Sequence, residues 1–171
     1  MNRKTTLAIL AVTVVLLTAP AALFAFESFD SYPGFSYDIG AGSGYSSDGG
    51  FYEINGALNT HFLSWLVWRN SAFFRGQTDA DNFFGLDTSM QAGSRFELGP
   101  QAMLDYHGGA GYRFTSIGDH APFAETGASY RAGGLRIGAN AKYILYDVVG
   151  EDRDNEFVFS VSVSGSTSGT F

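Results

Sequence analysis

Thirteen charged side chains sit at positions where an extended chain would turn them to one common side. The acids are Asp38, Glu53, Asp87, Glu97, Asp105 and Glu125, and the bases are Arg69, Arg75, Arg95, Arg113, Arg131, Arg136 and Lys142. Each lies in a stretch of alternating apolar and polar residues, on the polar face, because successive strand side chains point to opposite sides. Six acids against seven bases is close to neutral. Charges brought together away from water must pair, since an unpaired buried ion costs several kcal/mol. The chemistry expected of this set is therefore electrostatic pairing, an interior ion-pair network. On this reading alanine at either Arg95 or Arg113 leaves an acid unpaired and costs about 3–5 kcal/mol.

Bond-making chemistry has fewer candidates. Acyl transfer needs a base beside a nucleophile or acid, with oxyanion donors. The chain has three histidines and no cysteine. His61 and His107 fall on polar faces; His61 lies near a tight turn, and His107, two residues from Asp105, reads as a hydrogen-bonded interior group. His120 follows Asp119 in a link that also contains Gly118. A glycine-containing link is a poor platform for positioning a catalytic group, and no catalytic residue is assigned. The segments Gly40–Gly44 and Gly108–Gly111 are glycine-rich, but no helix follows to complete a phosphate cradle; they read as thinned strand wall beside large neighbours. Asp79-Ala-Asp81 and Asp152-Arg-Asp154-Asn155-Glu156 alternate acids as calcium loops do, yet lack the glycine and spaced bidentate glutamate of an EF-hand. No metal and no cofactor is implied.

Eight segments carry these residues. The alternation predicts strands over roughly 34–45, 51–62, 66–76, 83–97, 102–115, 122–132, 135–146 and from 157 onward. In the eighth, Phe157, Phe159, Val161 and Val163 alternate with Val158, Ser160, Ser162 and Ser164. In the third, Asn70 falls on the apolar face and Phe73 on the polar one, which makes its register the least regular. The links at 46–50, 77–82, 116–121 and 148–155 carry Asp48, Asp79, Asp81, Asp119, Glu151, Asp152 and Asp154, whereas those at 63–65, 98–101 and 133–134 are tight. Aromatics gather near the strand ends. Phe62, Trp65, Trp68, Phe96, Tyr130 and Phe171 lie on the tight-turn side. Tyr45, Phe51, Phe74, Phe84, Phe114, Tyr146 and Phe157 lie on the other, as two interfacial girdles would.

The first residues set the compartment. Arg3 and Lys4 precede an apolar run from Leu7 to Leu17, then Pro20 and a small-residue stretch ending in Leu23-Phe24-Ala25. This layout predicts a secretory signal over 1–25, cleaved after Ala25, a short periplasmic segment over 26–33 and a single domain over 34–171. Residues 26–171 hold 8 basic and 17 acidic side chains, a net charge of −9, which excludes a nucleic-acid partner. Export followed by eight amphipathic segments predicts an all-β fold, an eight-stranded antiparallel up-and-down transmembrane β-barrel with short loops. A barrel of this size has room inside for little more than its own side chains.

In its signal segment, eight amphipathic strands, tight turns on one side and terminal Phe171, the chain resembles the OmpA/OmpX-type outer-membrane barrels over residues 34–171. The resemblance implies an outer-membrane location with extracellular loops and both termini periplasmic. Its implied partners are outer-membrane lipid, lipopolysaccharide and the barrel-assembly machinery, which would read the C-terminal strand through Phe171. The function expected is that of a structural or interaction protein of the Gram-negative envelope with a plugged interior, not an enzyme. Two alternatives stay open. One is a lipid-A acyltransferase or deacylase, as in the PagP and PagL families, with His120 its best-placed group. The other is an accessory subunit of a larger envelope complex, to which the polar Asn70 on an apolar face points.

Overall fold

A computed structural model describes residues 34–167, apart from 48, 78–80, 100–101, 133–134 and 151–152. The signal segment, residues 26–33 and Phe171 lie outside the described residues. Eight strands follow one another: β1 (Gly34–Ser46), β2 (Gly49–His61), β3 (Leu66–Gln77), β4 (Phe83–Gly99), β5 (Ala102–Thr115), β6 (His120–Ala132), β7 (Leu135–Ile144) and β8 (Glu156–Thr167). Each pairs antiparallel with its sequence neighbour, and β8 returns to pair with β1, so the sheet is a closed up-and-down barrel. Closure leaves no strand edge unpaired. No described helix is long and apolar enough to cross a membrane; a barrel crosses with strands.

The alternation in the sequence becomes an inside and an outside. Ile39, Ile54, Leu58, Phe84, Phe159 and Val161 are exposed on the outer wall. An apolar outer surface of this extent belongs against lipid, not water. The side chains between them turn inward. In β3, Asn70 lies on the outer side opposite Thr88, and Phe73 is buried inside, so the irregular parity of this strand is real. On the outer wall, Trp68 Nε1 donates to Thr88 Oγ1 at 2.9 Å.

The ends depart from the expected pattern in four places. β7 stops at Ile144, and Tyr146–Val148 form a short 3-10 helix. Tyr146, in phase with the inward Lys142 and Ile144, is buried inside instead of standing in an interfacial girdle. Phe51 is also buried, because it shares the inward face of β2 with Glu53. His120 is the first residue of β6, opposite Phe114, and not part of a link. Finally, the β4–β5 register shifts between Glu97 and Gly99. Glu97, still in register opposite Met103, is exposed at the barrel end, without an ion pair to any described residue. Glu97 thus stands apart from the interior charges with which its parity grouped it.

The start of β1, the end of β8 and the strand ends joined by the links at 62–65, 100–101 and 133–134 share one end of the barrel, here the turn end. The links at 47–48, 78–82, 116–119 and 145–155 share the other, the loop end. The first loop-end link is as short as the tightest turns. Only the last is long, and it folds inward: Tyr146 packs with Phe51, Ala121, Phe123, Ile144 and Val158.

Candidate functional site

The lumen divides into two halves of different character. The loop-end half is a closed knot of charges. Arg113 donates from Nε to Asp87 Oδ1 at 2.7 Å and from Nη2 to Asp87 Oδ2 at 2.8 Å. Its Nη1 reaches Glu53 Oε1 at 2.7 Å. Arg75 donates to the same Glu53 oxygen from Nε at 2.9 Å and Nη2 at 2.6 Å, and from Nη1 to Glu156 Oε2 at 2.6 Å. Lys142 Nζ donates to Asp87 Oδ2 at 2.5 Å. Both guanidinium groups are wholly buried. Three cations and three carboxylates balance, with each carboxylate accepting charge-assisted bonds that offset its desolvation.

Aromatic rings complete the knot. The Arg75 guanidinium lies 3.7 Å from the Phe51 ring centre and 5.0 Å from that of Phe83. Arg113 lies 3.9 Å from the centre of Phe73, and Lys142 4.4 Å from that of Phe123. Cations above ring faces gain more when water is excluded, as here. The rings need room. Gly85 provides it for Phe73, whose ring occupies the space a Cβ would take, and the glycines of β1 and β5 do the same for other neighbours. The last link caps the knot from above. Arg153 donates from Nε to Glu156 Oε1 at 2.8 Å and from Nη1 to Asp119 Oδ2 at 3.2 Å. Burial and the nearby Glu156 raise the Tyr146 phenol above its ordinary pKa. Glu156 and Asp119 likewise hold the Arg153 guanidinium above its own, against desolvation.

The turn-end half is looser. A cavity of about 110 Å³ opens there, with Asp38, Arg69, Arg95, Asp105 and Arg136 in its wall. Arg69 pairs with Asp38, and Asn59 Nδ2 donates to the same carboxylate at 3.2 Å. Arg95 Nε donates to Asp105 Oδ1 at 2.6 Å, and Arg136 Nη2 lies 3.0 Å from Asp105 Oδ2. Ser36 Oγ and His61 Nε2 are 2.8 Å apart. Between the halves, buried Glu125 accepts from the amides of Gln91 at 2.8 Å and Asn140 at 3.1 Å. Arg131 stands directly opposite Arg136 across the β6–β7 pair.

Of the thirteen charged residues singled out by parity, five meet in the loop-end knot: Glu53, Arg75, Asp87, Arg113 and Lys142. Five more pair around the cavity: Asp38, Arg69, Arg95, Asp105 and Arg136. Glu125 is held by amides, Arg131 has no ion pair among the described residues, and Glu97 lies outside. Parity alone also gave Arg95 and Arg113 equal weight. The Arg113 side chain is fully buried, whereas that of Arg95 is 22% exposed and shares Asp105 with Arg136. Sequence reasoning missed Glu156 and Arg153. Glu156 was within reach, since it is in phase with the inward Val158 and Ser160. Arg153 was not, because no period governs a link. The Asp119 carboxylate is engaged by Arg153, so the Asp119–His120 neighbourhood is not an isolated acid–base pair.

No family model matches the chain, and no curated protein matches its sequence. Solved structures do share its architecture. A de novo designed transmembrane β-barrel aligns with a TM-score of 0.56 at 15% identity, over 81% of this chain and 100% of that one. Neisserial surface protein A aligns with a TM-score of 0.55 at 12% identity, over 78% of this chain and 96% of its own. With an apolar outer wall and a closed eight-stranded sheet, the class is that of the small transmembrane β-barrels.

Proposed function

We propose that this chain is an integral protein of the Gram-negative outer membrane and serves as a structural or interaction module, with its interior closed to through-flow. One observation carries the reading: the loop-end half of the lumen is filled by the Arg75–Arg113–Glu53–Asp87–Glu156–Lys142 knot and its aromatic rings. A selective pore needs a continuous polar path with weak, exchangeable sites. Here the charges are spent on one another. In the membrane the loop end faces outward and both chain ends face the periplasm, as the acidic side chains in the loop-end links and the even strand count favour. The partners are outer-membrane lipid, lipopolysaccharide and, through the C-terminal strand, the barrel-assembly machinery, together with an envelope protein still to be found. The reading assigns no catalysis, since the loop-end groups are committed to pairing.

Planar-bilayer recording of the folded protein tests this. The expected result is no steady conductance; a large, ohmic channel in the unmodified protein overturns the closed interior. Mass spectrometry of lipid A from cells with and without the protein tests the absence of catalysis. Identical acylation is expected, and a shift of one acyl chain that disappears in His120→Ala would replace this reading with an enzymatic one.

A further inference from the structure

Asn70 sets a primary amide on the lipid-facing wall. On β3 it stands between the exposed Trp68 and Phe74, within the apolar band, flanked by Leu58 of β2 and Thr88 of β4. An amide brings two N–H donors and an oxygen that accepts. Hydrocarbon meets neither need, and a polar group placed there without a partner costs free energy. Thr126, on the outer wall of β6, satisfies itself locally, since its hydroxyl donates to the His107 carbonyl at 3.0 Å. The Asn70 amide has no hydrogen-bond partner among the described residues. Thr88, directly opposite, is bonded instead to the Trp68 indole. Beside the amide the wall is low. Gly56 and Ala72 pair across β2 and β3, and a methyl group on Gly56 meets nothing within 4 Å. Ile54, Leu58 and Leu86 stand exposed around this hollow.

We infer that the outer face of β2, β3 and β4 is the contact surface for a second copy of this chain, paired about a two-fold axis at Asn70. A primary amide is its own complement: each Asn70 donates from Nδ2 to the amide oxygen of the other copy, and the contact is the same from both sides. Copies inserted by the same route share one orientation. Their Asn70 side chains then stand at one depth, and an axis along the membrane normal brings amide to amide. An asparagine side chain is short, so the two walls must come close, which the Gly56–Ala72 hollow allows. Lipid is as apolar as the wall, so burial alone does not join two membrane surfaces; small residues and hydrogen-bonding side chains do. A different membrane protein would need a matching polar group at the same depth, whereas a second copy has it by symmetry.

The dimer rests on the interaction-module reading, for which it names the partner, and is independent of the closed lumen. A conducting channel that dimerises through Asn70 refutes only the closure, and a silent monomer refutes only the dimer. The test uses the folded mature protein in a density-matched zwitterionic detergent, followed by sedimentation equilibrium over a series of protein-to-detergent ratios. A reversible dimer is expected. Asn70→Leu, which leaves heat-modifiable mobility intact, weakens it about tenfold, the equivalent of losing the paired amide hydrogen bonds within the membrane. Ile137→Leu, on β7 at the far wall, leaves it unchanged. The sequence has no cysteine, so single cysteines report alone. In native outer membranes, oxidation joins Ala72→Cys into a covalent dimer and leaves Ala141→Cys, also on β7, monomeric. A monomer at every ratio, a dimer that Asn70→Leu leaves unweakened, or an Ala72→Cys variant that links to a different protein or to nothing overturns the inference.

Discussion

Arg113→Ala removes the centre of the knot, and its cost can be worked from the contacts. The side chain is fully buried and donates to two carboxylates, Asp87 and Glu53, at 2.7–3.2 Å. Its loss leaves three carboxylates facing two cations in a dry interior. Asp87 keeps Lys142 and Glu53 keeps Arg75, so neither carboxylate is orphaned outright, yet the knot carries a net negative charge. Breaking a buried pair this way costs about 3–5 kcal/mol. Arg95→Ala is the control. That side chain is 22% exposed, and Asp105 retains Arg136 at 3.0 Å. Screening by water limits its loss to about 1 kcal/mol. Urea unfolding in lipid vesicles, followed by the heat-modifiable gel shift and by the fluorescence of Trp65 and Trp68, gives both values. The reasoning fails if Arg113→Ala costs less than about 1 kcal/mol, or if Arg95→Ala costs as much as Arg113→Ala.

Three further outcomes are expected. Gly44→Ala places a methyl group against the Phe51 ring and the Phe157 carbonyl, whereas Gly56→Ala meets nothing within 4 Å; folding yield and urea midpoint should fall for the first by about 1–3 kcal/mol and hardly change for the second. The Tyr146 hydroxyl is buried with no hydrogen-bond partner among the described residues, so Tyr146→Phe should leave stability at neutral pH unchanged or improved. Because the fold raises the pKa of this phenol above 10.0, its contribution is fully present below pH 10 and is lost as pH rises through the folded value; the variant should show a shallower alkaline loss of stability in pH-jump unfolding. Single cysteines at Asp154 and Leu63 should label oppositely in intact cells, the first with an impermeant reagent and the second not. The reverse pattern inverts the membrane orientation.

Strand number, order and facing were legible because a barrel repeats one simple rule. In β4, the run from Phe84 to Phe96 alternates so regularly that Asp87, Ser89, Gln91 and Arg95 could be assigned to one face without any structure. What the alternation does not contain is height. Parity says that Arg113 and Glu53 both point inward; it does not say that β5 and β2, separated by two strands, meet across the lumen at that level. Strand tilt and stagger fix that, and they made Arg113 the centre of a knot while leaving Arg95 beside a cavity. The remaining surprises lie where the period ends. Glu97 keeps its register yet stands exposed beside the shift before Gly99, and Tyr146, grouped with the girdle by its place at a strand end, is buried in the phase of Lys142 and Ile144. Phe73 was visible as a break in the apolar pattern, but its purpose needed Arg113 above it.

The Arg75–Glu156 bond joins residues 81 positions apart, and this separation sets an order on assembly. While β8 is absent, Arg75 has one carboxylate where the finished barrel gives it two, and the pairing that closes the wall onto β1 is missing as well. The chain therefore carries its most expensive cations early, on β3 and β5, and the last of their counter-charge arrives only with the final strand. A partly formed sheet opened toward lipid would expose those guanidiniums to hydrocarbon. The knot that fills the finished lumen thus makes insertion all-or-none, rewarding the complete cylinder and penalising every shorter intermediate.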